Sequence, residues 1–124
     1  LEGLNKIYGT WIIASSTTAN AASGGGFLWR LLDRVAVVGR EEPLEIFELM
    51  GFLNEATVDQ TRIAENYPQA LQFYFQREFE KASALFQSLA SIDTPSQVML
   101  QRIASLQVIP PDANWNGVFK PSVK

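Results

Sequence analysis

With no histidine and no cysteine among its 124 residues, this chain is left with carboxylate-based or backbone-based chemistry. A thiol nucleophile, an imidazole base, a disulfide framework and a thiolate or imidazole zinc site are all excluded. Adjacent Glu41 and Glu42 in the stretch GREEP are the nearest thing to a catalytic carboxylate pair. Neighbours on a turn diverge, however, and nothing around them supplies the burial that would separate their pKa values into an acid and a base. The stretch Ser23 to Gly26 (SGGG) imitates a phosphate cradle, but no Lys-Ser/Thr follows it and the next segment reads as a strand. Asp33, next to Arg34, is one carboxylate and so a poor metal site; the two are expected to form a local ion pair that anchors a hairpin.

The length is that of one ordinary domain, and 47% hydrophobic residues suffice for a core. A formal charge of −3, a pI near 4.9 and scattered Lys and Arg argue against a nucleic-acid partner or a charged membrane surface. No run approaches the roughly 18 to 20 apolar residues of a bilayer span, and Leu1 to Lys6 lacks the layout of a signal peptide. The reading is a soluble, cytoplasmic chain without a membrane segment.

Two halves of different period must position these groups, and they meet near Gly51. In the first, residues 12 to 16 (IIASS) are a short β-prone run, and Thr17 or Thr18 is placed to cap a brief helical turn through Asn20 to Ala22. Phe27, Trp29 and Leu31 alternate with Leu28, Arg30 and Leu32 as a half-buried strand, continued by Val35 to Val38. Gly39 to Pro43 is expected to be a five-residue hairpin loop, from which Leu44 to Leu49 returns antiparallel. In the second half the period is helical. One helix is expected from about Thr57 to Asn66, another with Pro68 in its first turn, and a third after a bend near Arg77 and Glu78. Asp93 to Ser96 (DTPS) opens a further helix through Leu106, which Pro110-Pro111 stops. Trp115, Val118 and Phe119 form an apolar strip expected to pack back on the helices, with Trp115 in the core.

These stretches carry a resemblance. LEGLNKIYGTWIIAS followed by FLWRLLDRVAVVGREEPLEIFELMG resembles the C-terminal part of the catalytic domain of class III adenylate/guanylate cyclases, over residues 1 to 51. Its signposts are Leu1, Glu2, Leu4, Lys6, Tyr8-Gly9, Ser15, Thr18, Arg30, Leu32-Asp33, Gly39 and Pro43. Residues 52 to 124, with AENYPQALQFYFQREFEKASALF, Arg102 and the closing Trp115-Asn116-Gly117-Val118, resemble the helical extension of bacterial, cyanobacterial-type members.

The resemblance implies an α+β fold: part of a ferredoxin-like cyclase domain, then an all-helical tail with one tetratricopeptide-like helix pair, too few for a binding solenoid. It implies a parent enzyme that makes cyclic AMP from ATP with Mg²⁺ or Mn²⁺, as a homodimer of catalytic domains. The family's two metal-binding aspartates, and its transition-state Asn and Arg, belong upstream of Leu1, so this chain alone is expected to be inactive, with no catalytic or metal residue of its own. Where the family's hairpin often reads Val-Lys-Gly-Lys, this chain has Val37-Val38-Gly39-Arg40. Val38 cannot pair with phosphate, which leaves Arg40 as the nucleotide-binding candidate. The alternative expectation is a non-catalytic regulatory or protein-binding module derived from a cyclase. Residues 1 to 51 alone would leave one sheet face bare, so they are expected to be loosely held unless the tail covers them.

Overall fold

The structure, a computed structural model, describes residues 3–21 and 25–121. Leu1 and Glu2, Ala22, and Ser23 with Gly24 of the SGGG stretch lie outside the described residues. The chain is α+β, in the order α1 (Leu4–Tyr8), β1 (Ile13–Ser15), α2 (Ser16–Ala21), β2 (Phe27–Val35), β3 (Leu44–Phe52), α3 (Val58–Phe75), α4 (Phe79–Leu89) and α5 (Thr94–Val108). The strands make one antiparallel sheet in the order β1-β3-β2.

The short α1 ends where Gly9 takes φ 73°, a left-handed conformation that only glycine adopts cheaply, and the amides of Gly9 and Thr10 both return to the Asn5 carbonyl. A side chain is barred from this position twice over, because a Cβ on Gly9 would come within 2.5 Å of Thr94 Cγ2 at the start of α5. The Tyr8-Gly9 turn is therefore also a contact with the helical half.

Alternation makes β2 and β3 amphipathic, but two register shifts decide which residues are buried. Leu31 pairs with Phe47 and Asp33 with Ile46, so Leu32 is the extra residue of a bulge, and Leu32 and Asp33 both turn inward. On the other strand Trp29 pairs with Leu49 and Leu28 with Gly51, which makes Met50 the extra residue there. A bulge leaves backbone groups without a ladder partner, and here α3 supplies both replacements. The Tyr67 hydroxyl donates to the Leu32 carbonyl at 2.8 Å, and the Gln60 side-chain amide donates to the Met50 carbonyl at 3.0 Å. Positions 60 and 67 lie two turns apart on one face of the helix, so α3 lies along the sheet with its spacing matched to the bulges.

Two expectations about this hairpin are corrected. The strand does not break at Asp33 and Arg34 and resume through Val38; it runs unbroken to Val35, and the connecting loop is residues 36–43 rather than Gly39 to Pro43. The return strand extends past Leu49 to Phe52. The bulge explains the first difference, because it shifts the inward face by one residue and so absorbs Asp33 into the strand.

The expected break between two helices at Pro68 is also corrected: α3 is one helix of 18 residues with Pro68 inside it. Proline costs the Ala64 carbonyl its helical partner, but Ile63, Tyr67, Ala70, Leu71 and Tyr74 are all buried, and a break would remove part of that stripe from the core. A capping box starts α3, with the Thr57 hydroxyl accepting from the Gln60 amide and the Gln60 side chain from the Thr57 amide. Arg77 at φ 64° makes the bend into α4, and Asp93 caps α5 with Pro95 in its first turn.

The tail covers the sheet. One apolar cluster joins Leu4, Tyr8, Leu32, Val35 and Ile46 to Ile63, Tyr67, Leu71, Phe86, Leu89, Met99 and Ile103. The C-terminal segment packs back as well: Trp115 lies edge-on to Tyr74 at 5.2 Å, and Phe119 adds a parallel bridge to Val35 on the outer edge of β2. There the Phe119 amide donates to the Arg34 carbonyl and the Ala36 amide to the Phe119 carbonyl, at 2.9 and 2.8 Å. Trp115 is half-buried. No helix among the described residues is long and apolar enough to cross a membrane.

Candidate functional site

Two groups of charged side chains result, one buried and one exposed. The buried group begins with Arg30, on the inward face of β2 and 3% exposed. Its guanidinium is bidentate to the Asp93 carboxylate at 2.7 and 2.8 Å, donates from Nε to Glu48 on the paired strand at 2.8 Å, and lies 4.5 Å from the centre of the Tyr67 ring. Asp93 also accepts from the Ser96 amide and hydroxyl, so one carboxylate both caps α5 and ties it to the sheet. Burial works to lower the pKa of Arg30, but the Asp93 hydrogen bonds and the surrounding negative charge outweigh it and hold the cation charged. Glu48 moves the other way. Burial pushes its carboxyl above the usual range, against the pull of Arg30, and the Asp93 charge adds to the rise.

Three residues further along β2, Asp33 accepts from the Tyr8 hydroxyl at 2.5 Å and from Arg102 at 2.6 Å. Asp33 and Tyr8 are fully buried, and burial followed by the Asp33 charge drives the tyrosine pKa well up, so the hydroxyl keeps its proton as a donor. Arg102 stays charged for the same reason as Arg30: burial acts to lower its pKa, and the Asp33 charge overrides it. The expected ion pair between Asp33 and Arg34 is corrected. Asp33 points inward to Arg102 while Arg34 points outward, 3.7 Å from Glu45 and over the Phe75 ring at 4.2 Å. What joins Asp33 to its neighbour is a backbone bond, from the Arg34 amide to Oδ1.

The exposed group surrounds the hairpin tip. Arg40 lies on the β2–β3 loop, facing a groove of about 580 Å³. Ala36 and residues 40–43 form one wall, and the opposite wall is the C-terminal strap, with Pro111, Asp112, Trp115, Asn116, Val118 and Lys120. Two cations, Arg40 and Lys120, face three carboxylates, Glu41, Glu42 and Asp112, so the lining has no net positive charge. Arg77 fixes the strap by donating to the Pro111 and Asp112 carbonyls, both at 2.7 Å.

Of the residues the sequence singles out, Arg40, Glu41 and Glu42 therefore share one groove, whereas Arg30, Asp33, Asp93 and Arg102 form structural ties. Lys120 and the strap wall were not anticipated at the groove. The one available signal was the strip Trp115, Val118 and Phe119, which places the tail against the body of the protein without saying which edge it meets. Among the described residues no group of three or more His, Cys, Asp or Glu could hold a metal ion. No protein-family model matches the chain, and no curated protein or solved structure matches it either.

Proposed function

We propose that this chain is the C-terminal part of a class III adenylate cyclase with a helical extension, and that its hairpin tip serves the nucleotide site of a longer, dimeric protein. One observation supports the reading: the run of sequence markers, which falls on elements packed together in one α+β unit. Tyr8-Gly9 is the left-handed end of α1, Ser15 ends β1, Arg30 and Asp33 are the inward charges of β2, and Gly39 to Pro43 lies in the loop to β3. In this reading the sheet is part of a ferredoxin-like domain, and α3 with α4 is a tetratricopeptide-like pair that braces it rather than a binding solenoid.

The roles divide accordingly. Arg40 approaches the phosphates of ATP from the tip of the hairpin. Because three carboxylates offset the two groove cations, the lining does not favour a bare polyphosphate, and a nucleotide whose charge is already neutralised by metal suits it better. In this reading the metal ligands and the catalytic Asn and Arg come from outside these 124 residues, and the chain alone is expected to be inactive. Reading the coding region upstream of Leu1 tests the proposal. Two strand-borne aspartates, with an Asn-x-x-x-Arg ending next to Leu1, are the expected result; an in-frame sequence without them removes the cyclase reading.

A second reading, a non-catalytic protein-binding module, draws on Val108 and Ile109. These apolar residues at the end of α5 are 80% and 76% exposed. It predicts specific capture of a partner by the full chain that Val108→Asp abolishes.

A further inference from the structure

We propose that Arg102 is a positioning residue that couples α1 to the C-terminal strap, so that the end of the first helix and the far wall of the hairpin groove are held by one side chain. The inference deepens the preceding reading, since it names what controls that groove, and rests on it only for the consequence to activity.

Arg102 projects from α5 into a space where α1, β2, the strap and, through the Tyr74 side chain, α3 converge. Its Nη1 donates to Asp33 on β2 at 2.6 Å and its Nη2 reaches the Tyr8 hydroxyl of α1 at 3.4 Å. Its guanidinium plane also covers the Phe119 ring of the strap at 3.9 Å. Tyr8 and Phe119 meet edge to face at 6.4 Å, so the two aromatic rings and the guanidinium form one contact group. On the strap side the connection to the groove is short. Phe119 lies between Val118 and Lys120, both lining residues, and its backbone bonds Arg34 and Ala36, the latter also in the lining. On the helix side, Tyr8 is the last residue of α1 and is followed by the Gly9 turn. A shift of the strap therefore acts on the Arg102 plane, and the plane is fixed to Tyr8 through Asp33.

Lysine cannot replace this geometry. It keeps a charge for Asp33, but a point charge on a flexible stem cannot also stack on Phe119 and donate to Tyr8. Coupling is reciprocal, so a change made on the strap must be felt at α1.

The test is amide hydrogen exchange on the full 124-residue chain carrying Arg102→Lys or Phe119→Leu. With Arg102→Lys the amides of Gly9, Thr10, Ala36 and Phe119 are expected to exchange at least about tenfold faster, one decade of opening equilibrium, while those within α4, which Arg102 does not touch, keep their rates. Phe119→Leu changes only the strap, and the proposal requires Gly9 and Thr10 to accelerate with it. If α1 keeps its protection in Phe119→Leu while Ala36 alone loosens, the coupling does not exist. Equal acceleration throughout α4 in both variants marks general destabilisation and also overturns the proposal. Neither readout involves nucleotide, so an inactive parent protein would remove the cyclase reading and leave this result standing.

Discussion

Asp33 on β2 and Arg102 on α5, 69 residues apart in sequence, meet at 2.6 Å with the carboxylate fully buried. Arg30 and Asp93 repeat the arrangement at 2.7 Å. Each pair sets one charge on the sheet against one on the last helix, so together they fix where the helical layer sits and in which direction α5 runs. Removing one partner leaves the other buried and uncompensated. Asp33→Asn is accordingly expected to cost about 3 to 5 kcal/mol in urea unfolding, and Asp33→Leu combined with Arg102→Met to cost much less than the sum of the single changes. Additive costs would show that the pair is not the operative contact.

The bulge at Leu32 gives an independent prediction. Tyr67→Phe removes only the hydroxyl that satisfies the Leu32 carbonyl, leaving ring packing against Phe86 and Arg30 in place. A buried acceptor without a partner costs about 1 to 3 kcal/mol, read as a lower urea midpoint with an unchanged slope. No shift in midpoint would mean that the bulge carbonyl finds another donor.

Glu48 sets the pH dependence. Burial raises its folded pKa above the ordinary value of 4.5, so the folded state holds the proton more tightly than the unfolded chain does. The stability this contributes is complete below pH 4.5 and is lost as pH rises through the higher folded value. Glu48→Gln cannot titrate. The stability of the natural chain relative to this variant should therefore decline with rising pH across that window, and a constant difference would contradict the assignment.

Gly9 tests the contact between the two halves. Gly9→Ala forces a side chain into a left-handed conformation, worth about 1 to 2 kcal/mol, and drives it against Thr94. Gly9→Ala in a Thr94→Ser background removes the methyl it strikes and should recover part of the loss. Arg40→Ala, on an exposed loop, is expected to change stability by less than about 0.5 kcal/mol.

Local signals in the sequence were sufficient for the elements that depend on local physics. Asp93 with Pro95 marks the start of α5, the bend expected near Arg77 and Glu78 falls between α3 and α4, and the alternation from Phe27 announces β2. Pro68 misleads for a physical reason, because its penalty is local whereas the buried stripe from Ile63 to Tyr74 that outweighs it is tertiary. The charge pairs are harder. A charged Asp33 within an apolar strand signals that a partner must exist, but nothing local distinguishes adjacent Arg34 from Arg102 far downstream, and it was the bulge at Leu32 that turned Asp33 inward. The groove was half legible: Arg40 on its turn was visible, whereas the strap wall depends on where Phe119 docks.

Cyclic AMP formation from ATP and Mn²⁺ by the chain extended through its upstream coding region is the most direct test of the cyclase proposal. The account predicts turnover by the extended protein, a severalfold higher KM with Arg40→Ala, and none by the 124-residue chain alone. Turnover by the short chain, or its absence from the extended one, would contradict it.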